Sequence, residues 1–251
     1  MLQRRLLHPP GYLDLDAGIR RRLENQDTEL RSLRTPSAQA VRAADGAIFR
    51  PLEHPLSATF ASVHPPKAVM LRSPLEAEVL ADHWTALAMG SPDTFVAVVL
   101  SLATSLTGTS ANVRRGHIFL GADASGTRIE LTAPARVPAA LAACGNFLYR
   151  HASTHPVFTA VVVLALFVNI HPLVDGNGRV ARVLYNFCLK TGGLRQTDYV
   201  PFYEIAERSR GGYEIALRKA EIRRDWAALF GWCLAAHQIC DHISSRVSQL
   251  K

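Results

Sequence analysis

The sequence predicts an all-α fold carrying one short β-hairpin. Three observations point there. Apolar residues recur at three- and four-residue spacing through most of residues 73–243. Helix start and stop signals bracket those stretches. Strict alternation appears once, in HIFLG and TRIELT on either side of the turn ADASG.

Residues 1–66 are rich in arginine and interrupted by prolines at 9, 10, 36, 51, 55, 65 and 66. One helix is expected there, over residues 17–33, with Asp14 or Asp16 as its cap. The region reads either as an extension wrapping the main domain or as a loosely ordered arm. From Ser73 the pattern changes. SPLEAEVLADHWTALAMG opens as a capping box, with Ser73 as cap, Pro74 in the first turn and Glu76 three residues on, and stops at Gly90. A second helix follows Ser91 and Pro92, then the hairpin. Pro134 and Pro138 lead into AALAACGNFLYRHA. The most apolar run, VFTAVVVLALFVNI, is a helix too short for the roughly 20 residues that span a bilayer, so it belongs in a core. RVARVLYNFCLKTGG closes at Gly192 and Gly193, and two more helices are expected in the tail. The domain layout read from this is an N-terminal extension over 1–72, a main domain over 73–243 and a tail over 244–251.

Composition narrows the function. In 251 residues, 48% are hydrophobic and 20% charged, enough for a real core. The formal charge of +7 favours an anionic partner. The arginines are dispersed and not interleaved with aromatics, and no groove-reading helix is evident, so nucleic acid is not the expected partner. Cys144, Cys188, Cys233 and Cys240 read as buried, reduced thiols of a cytosolic protein. Cys233, His237 and Cys240 sit in an amphipathic helix without a second ligand pair, which argues against zinc. The histidine pair His151 and His155 reads as exposed loop residues. No secretory signal is visible, and the chain is expected to be soluble and cytoplasmic, with export into a host cell left open.

One stretch resists a purely structural reading: NIHPLVDGNGRVAR, residues 169–182. DGNG alone could be turn chemistry. The set as a whole does more. Pro172 ends the buried helix, so His171 sits at a helix-to-loop junction. Gly176 and Gly178 allow a sharp turn and close backbone approach to a ligand. A helix beginning near Arg179 turns its unpaired amides and positive dipole end toward the loop, which makes an anion site. Arg179 and Arg182 share one helix face and suit phosphate oxygens. Asp175 offers a hard oxygen of the kind Mg²⁺ takes beside substrate phosphates. Asn177 can bond a phosphate oxygen, and His171 can take a proton near neutral pH.

HPLVDGNGRVAR resembles the signature of Fic-domain proteins, His-Pro-Phe-x-Asp/Glu-Gly-Asn-Gly-Arg-x-x-Arg, with Leu173 where Phe is usual. The hairpin is similar to that family's target-docking flap, and the closing helices resemble those that finish the domain, so the resemblance runs over about 73–243. It implies a Fic fold: a helical core with a short β-hairpin flap beside the active-site loop. It also implies transfer of AMP from ATP to a Ser, Thr or Tyr hydroxyl of a target protein. His171 would be the base and Asp175 the Mg²⁺ ligand. Gly176, Asn177, Gly178 and Arg179 would hold phosphates, and Arg182 would fix the γ-phosphate. The flap, with Thr127, Arg128, Ile129, Glu130, Leu131 and Thr132 as its docking strand, would align the target by strand addition.

Gly178 argues against the kinase branch of the family, which carries lysine there. UMP or phosphocholine transfer stays open, as does a non-catalytic binding module. Many relatives restrain themselves with a Ser/Thr-x-x-x-Glu helix whose Glu pairs with the second arginine. No such motif occurs here, so the restraint is expected either from an antitoxin-like partner supplying a Glu to Arg182 or not at all. Glu24 and Glu29 are weak substitutes. A toxin or effector role and a homo-oligomer are compatible with the resemblance.

Overall fold

A computed structural model describes residues 2–3, 7–55, 70–119 and 129–249. They are overwhelmingly helical and group into two compact units, one of Met1–Pro9 with Leu75–Thr191, the other of Pro10–Pro74 with Gly192–Lys251.

The second unit contains α1 (Ala17–Glu29) and α2 (Ala38–Ala43), followed by a 3-10 helix (Gly46–Leu52). The Asp16 carboxylate caps α1, accepting from the N–H groups of Gly18 and Ile19 at 2.8 and 3.3 Å. The sequence makes Ser73 the cap of α3 (Ser73–Asp82), with Glu76 to receive its N–H. The Ser73 N–H instead donates to Glu204 at 3.2 Å, and the Ser73 hydroxyl bonds the other oxygen of the same carboxylate. Three helices complete this unit. They are α9 (Phe202–Arg208), which the sequence does not suggest, then α10 (Gly212–Arg223) and α11 (Trp226–Gln249), which Arg224 separates with a left-handed backbone.

In the first unit, α3 bends at His83 into α4 (Trp84–Ala88), and Gly90 ends the run. A Cβ at Gly90 would lie 2.1 Å from the Tyr149 hydroxyl, so the packing as well as the stop signal requires glycine. Then come α5 (Phe95–Thr107), α6 (Val137–His151), α7 (Pro156–Ile170) and α8 (Asn177–Thr191). Of the 15 residues of α7, 14 are buried. Each Val, Leu or Phe taken out of water contributes about 1.5–3 kcal/mol, which makes α7 the axis on which α6 and α8 pack. No helix among the described residues is long and apolar enough to cross a membrane.

The hairpin reads clearly at its base. Phe119 pairs antiparallel with Glu130, and the Leu131 N–H donates to the Ile118 carbonyl at 3.0 Å. β2 (Ile129–Glu130) also takes a second neighbour, since β1 (Leu2–Gln3) runs parallel to it.

All four cysteines are buried free thiols, and burial raises the pKa of each. His151 and His155 are half-buried rather than exposed, packing on Phe147 and Phe158. His237 is fully buried on α11, and burial lowers its pKa from 6.5 to about 4. A base whose folded pKa lies below its unfolded value contributes stability above pH 6.5 that is lost as pH falls toward 4. At about 1.4 kcal/mol per pKa unit the loss is about 3 kcal/mol. Urea midpoints measured between pH 7 and pH 4 should therefore fall more steeply for the wild type than for His237→Gln.

Candidate active site

The loop between α7 and α8 begins with an energetic anomaly. His171 adopts a left-handed backbone, φ 51° and ψ 58°, which costs a non-glycine residue about 1–2 kcal/mol. Its own N–H still caps α7 by donating to the Phe167 carbonyl at 2.9 Å. The turn swings the chain away from the α7 axis and leaves the His171 side chain half exposed.

From there the loop is braced internally. Leu173, at the position where the signature it resembles has phenylalanine, is buried. Its N–H donates to the Asn177 side-chain oxygen at 2.9 Å, and the Asn177 amide nitrogen donates back to the Leu173 carbonyl at 2.8 Å. Asn177 is itself buried, so both ends of its carboxamide hold the loop shape. Gly176 has φ 86°, and a Cβ there would also sit 3.1 Å from the Thr107 methyl. Two constraints thus specify one glycine.

α8 begins at Asn177, two residues earlier than the apolar spacing suggests. The amides of Asn177, Gly178 and Arg179 fall in its first turn and have no carbonyl partner inside the helix. Asp175, with 76% of its side chain exposed, accepts from the Gly176 N–H at 2.6 Å and from Arg179 at 2.8 Å. Arg179 also bonds the Leu106 carbonyl. Asp175, the first-turn amides and the two arginines are therefore gathered at one end of α8.

Arg182 is already engaged. Its guanidinium forks onto Glu76 of α3, with Nε 3.1 Å from each carboxylate oxygen and Nη2 on one of them. The Glu76 side chain is 0% exposed. A glutamate on Arg182 thus comes from this same chain, from a helix without the Ser/Thr-x-x-x-Glu motif. Gly178 matters to the same group, because a Cβ there would lie 3.2 Å from Arg182 Nη1.

Of the flap residues, Thr127 and Arg128 lie outside the described residues, and Ile129 is described only as part of β2. Glu130 is buried and pairs with His117 across the hairpin, so its side chain faces inward. Leu131 and Thr132 are buried at the flap root, where the Thr132 hydroxyl donates to the Asn169 carbonyl at 3.3 Å.

Two residues escape the sequence reading. Glu76 looks like a helix cap, and its true partner is 106 residues away. Arg114 looks like one of several dispersed arginines, yet it is buried among backbone carbonyls of the flap and the loop. In neither case does local spacing carry a signal. Elsewhere in this unit, a groove of about 600 Å³ runs along the Ala139, Ala143 and Phe147 face of α6, and residues 171–182 do not line it.

The class defined by this geometry is a helical domain in which a histidine-bearing loop leads into a helix N-terminus with two arginines and is tied through Arg114 to the root of a hairpin. Comparison with known proteins agrees. Residues 98–189 match the Fic/DOC family. A probable protein adenylyltransferase of Aquifex aeolicus is 33% identical over 110 residues, 44% of this chain and 32% of that protein. The chain thus matches about a third of that relative's length. A Fic family protein from Desulfovibrio desulfuricans superposes with a TM-score of 0.60 at 17% identity, covering 96% of this chain and 77% of the other. Fic-1 of C. elegans gives 0.54 at 15% identity, with 93% and 73% covered. The chain thus carries a Fic/DOC match over residues 98–189 and has the all-α Fic fold.

Removing one partner of a buried ion pair strands the other. Arg182→Met should lower the unfolding free energy by about 3–5 kcal/mol. Adding Glu76→Gln to that variant should return at least about 1 kcal/mol, a coupling that urea titration of the single and double variants measures.

Proposed function

We propose that this protein is a nucleotidyltransferase that moves AMP from ATP to a Ser, Thr or Tyr hydroxyl of a target protein. The observation that supports the reading is the N-terminal end of α8, where first-turn amides, Arg179 and Arg182 follow directly on the loop that carries His171. A helix N-terminus with paired guanidiniums grips a polyphosphate, and a neighbouring imidazole is the natural acceptor for a hydroxyl proton. The target oxygen attacks the α-phosphorus, the bond to pyrophosphate breaks, and the hydroxyl proton passes to His171. The name of the Aquifex relative supports transfer of adenylyl over UMP or phosphocholine.

Asp175 fits a divalent cation, being an exposed carboxylate at the phosphate end of the loop. Mg²⁺ characteristically takes one or two carboxylates together with substrate phosphates and water. When bound it would neutralise charge on the phosphate chain. Asp175 would release Arg179 to do so, freeing that guanidinium for the phosphates. Gly176, Asn177 and Gly178 contribute main-chain N–H groups and loop shape.

Target alignment is assigned to the main chain of the flap. Catalysis draws on residues of the unit of Met1–Pro9 and Leu75–Thr191. A cytoplasmic setting and a toxin-like or effector-like role belong to the same reading, and a partner supplying a glutamate to Arg182 would compete with Glu76 for that position. A binding module without turnover is the second reading, and the intact His171, Asp175, Arg179 and Arg182 favour the first.

With α-labelled ATP and Mg²⁺, the protein should label itself or a protein in an extract. His171→Ala should lower labelling at least about 100-fold while ATP still binds. Equal labelling by that variant removes His171 from the role. Because a phosphate must displace Glu76 from Arg182, Glu76→Gln should tighten ATP binding several-fold by calorimetry. Unchanged affinity would mean that Arg182 does not meet the nucleotide.

A further inference from the structure

The loop and the flap are separate in sequence, yet both end on one buried guanidinium. Arg114 is 4% exposed. Its Nε donates to the His171 carbonyl at 2.6 Å, and its Nη2 to the Ile170 carbonyl at 3.2 Å. On the flap side, Nη1 donates to the Gly116 carbonyl at 2.8 Å and Nη2 to the Thr132 carbonyl. The backbone repeats the connection, since the Arg114 N–H donates to the Pro172 carbonyl at 2.8 Å and Val113 bridges Leu173.

Each of these carbonyls has a reason to want a donor. Ile170 ends α7, and the last carbonyls of a helix have no N–H ahead of them. His171 comes next, in a left-handed conformation that its neighbours must hold. The C-terminal end of a helix carries partial negative charge and favours a cation. Burial pushes the Arg114 pKa down and the nearby Glu130 charge pushes it back, but a guanidinium stays protonated.

We infer that Arg114 is the positioning residue of this site, locking the flap root to the His171 turn so that imidazole and docking strand are held in one frame. Only a planar fork can reach four carbonyls in divergent directions. A lysine ammonium has three donors on a single point and cannot span them. Arg114 touches no phosphate-gripping group, so its loss should disturb alignment and spare nucleotide affinity. The role in catalysis rests on the transferase reading above; the mechanical role does not.

The test separates the two. Wild type and Arg114→Lys are compared for thermal unfolding, ATP affinity by calorimetry, labelling from α-labelled ATP, and amide hydrogen exchange. Arg114→Gln is measured in parallel in case the lysine variant does not fold. The expected result is a folded variant that binds ATP within about threefold of wild type but labels at least tenfold more slowly. Its Leu131 and His171 amides should also exchange at least tenfold faster, with α10 unchanged. Guanidinium added to Arg114→Ala should restore part of the labelling by refilling the same set of carbonyl acceptors. Wild-type labelling together with wild-type exchange at Leu131 and His171 overturns the inference. If the wild type labels nothing, the transferase reading has failed, and exchange alone then decides whether Arg114 locks flap to loop.

Discussion

The site depends on how α7 ends. A helix buried along nearly its whole length cannot be shifted or frayed without exposing core side chains, so its last turn is a fixed point. Beyond Ile170 the chain must leave the core at once, and it does so by forcing His171 into a left-handed turn. That turn is expensive, and its surroundings offset the cost: the His171 N–H caps α7, and Arg114 takes up the carbonyls that the turn strands. The backbone of His171 is thereby held by its neighbours.

The second constraint lies at the other end of the loop. The Asn177 carboxamide and the Leu173 backbone close a ring of two hydrogen bonds, so the turn through Gly176 has one shape and α8 starts at one residue. An anion site made of main-chain amides is useful only if those amides point together before the ligand arrives. In the proposed reading the buried Asn177 brace serves that task, while Asp175 stays exposed. Both ion pairs at the site, Asp175 with Arg179 and Glu76 with Arg182, put a carboxylate on an arginine that the proposed reaction assigns to phosphate. The first is largely exposed and easily surrendered. The second is buried and bidentate, and separating it costs far more.

Much of this is legible from residues alone. Spacing of apolar side chains locates α5 through α8 and the two long tail helices to within a few residues, because a helix that buries one stripe or all of its surface writes its period into the sequence. The polar loop is legible for the opposite reason: too many functional groups stand together for turn chemistry to explain. The short helices α2 and α9 give no comparable signal, being too brief to complete a period. The Asn177 side chain, which reads as a phosphate contact, closes the loop brace, a role its spacing does not show. The Glu130 side chain pairs with His117, a partner 13 residues away that the docking role gave no reason to expect.

What the sequence by itself determined, then, is the helical framework and the inventory of the loop: a base, a carboxylate, two glycines and two arginines at the head of a helix. These come from periodicity and local spacing, which act over a few residues. What only the tertiary structure decided is who holds whom. Glu76 meets Arg182 across 106 residues, Arg114 meets His171 across 57, and Leu2–Gln3 lies along Ile129–Glu130. Such pairings are fixed by which surfaces the core brings together, and no local pattern encodes them, because a buried charge is recognisable only once its partner is beside it.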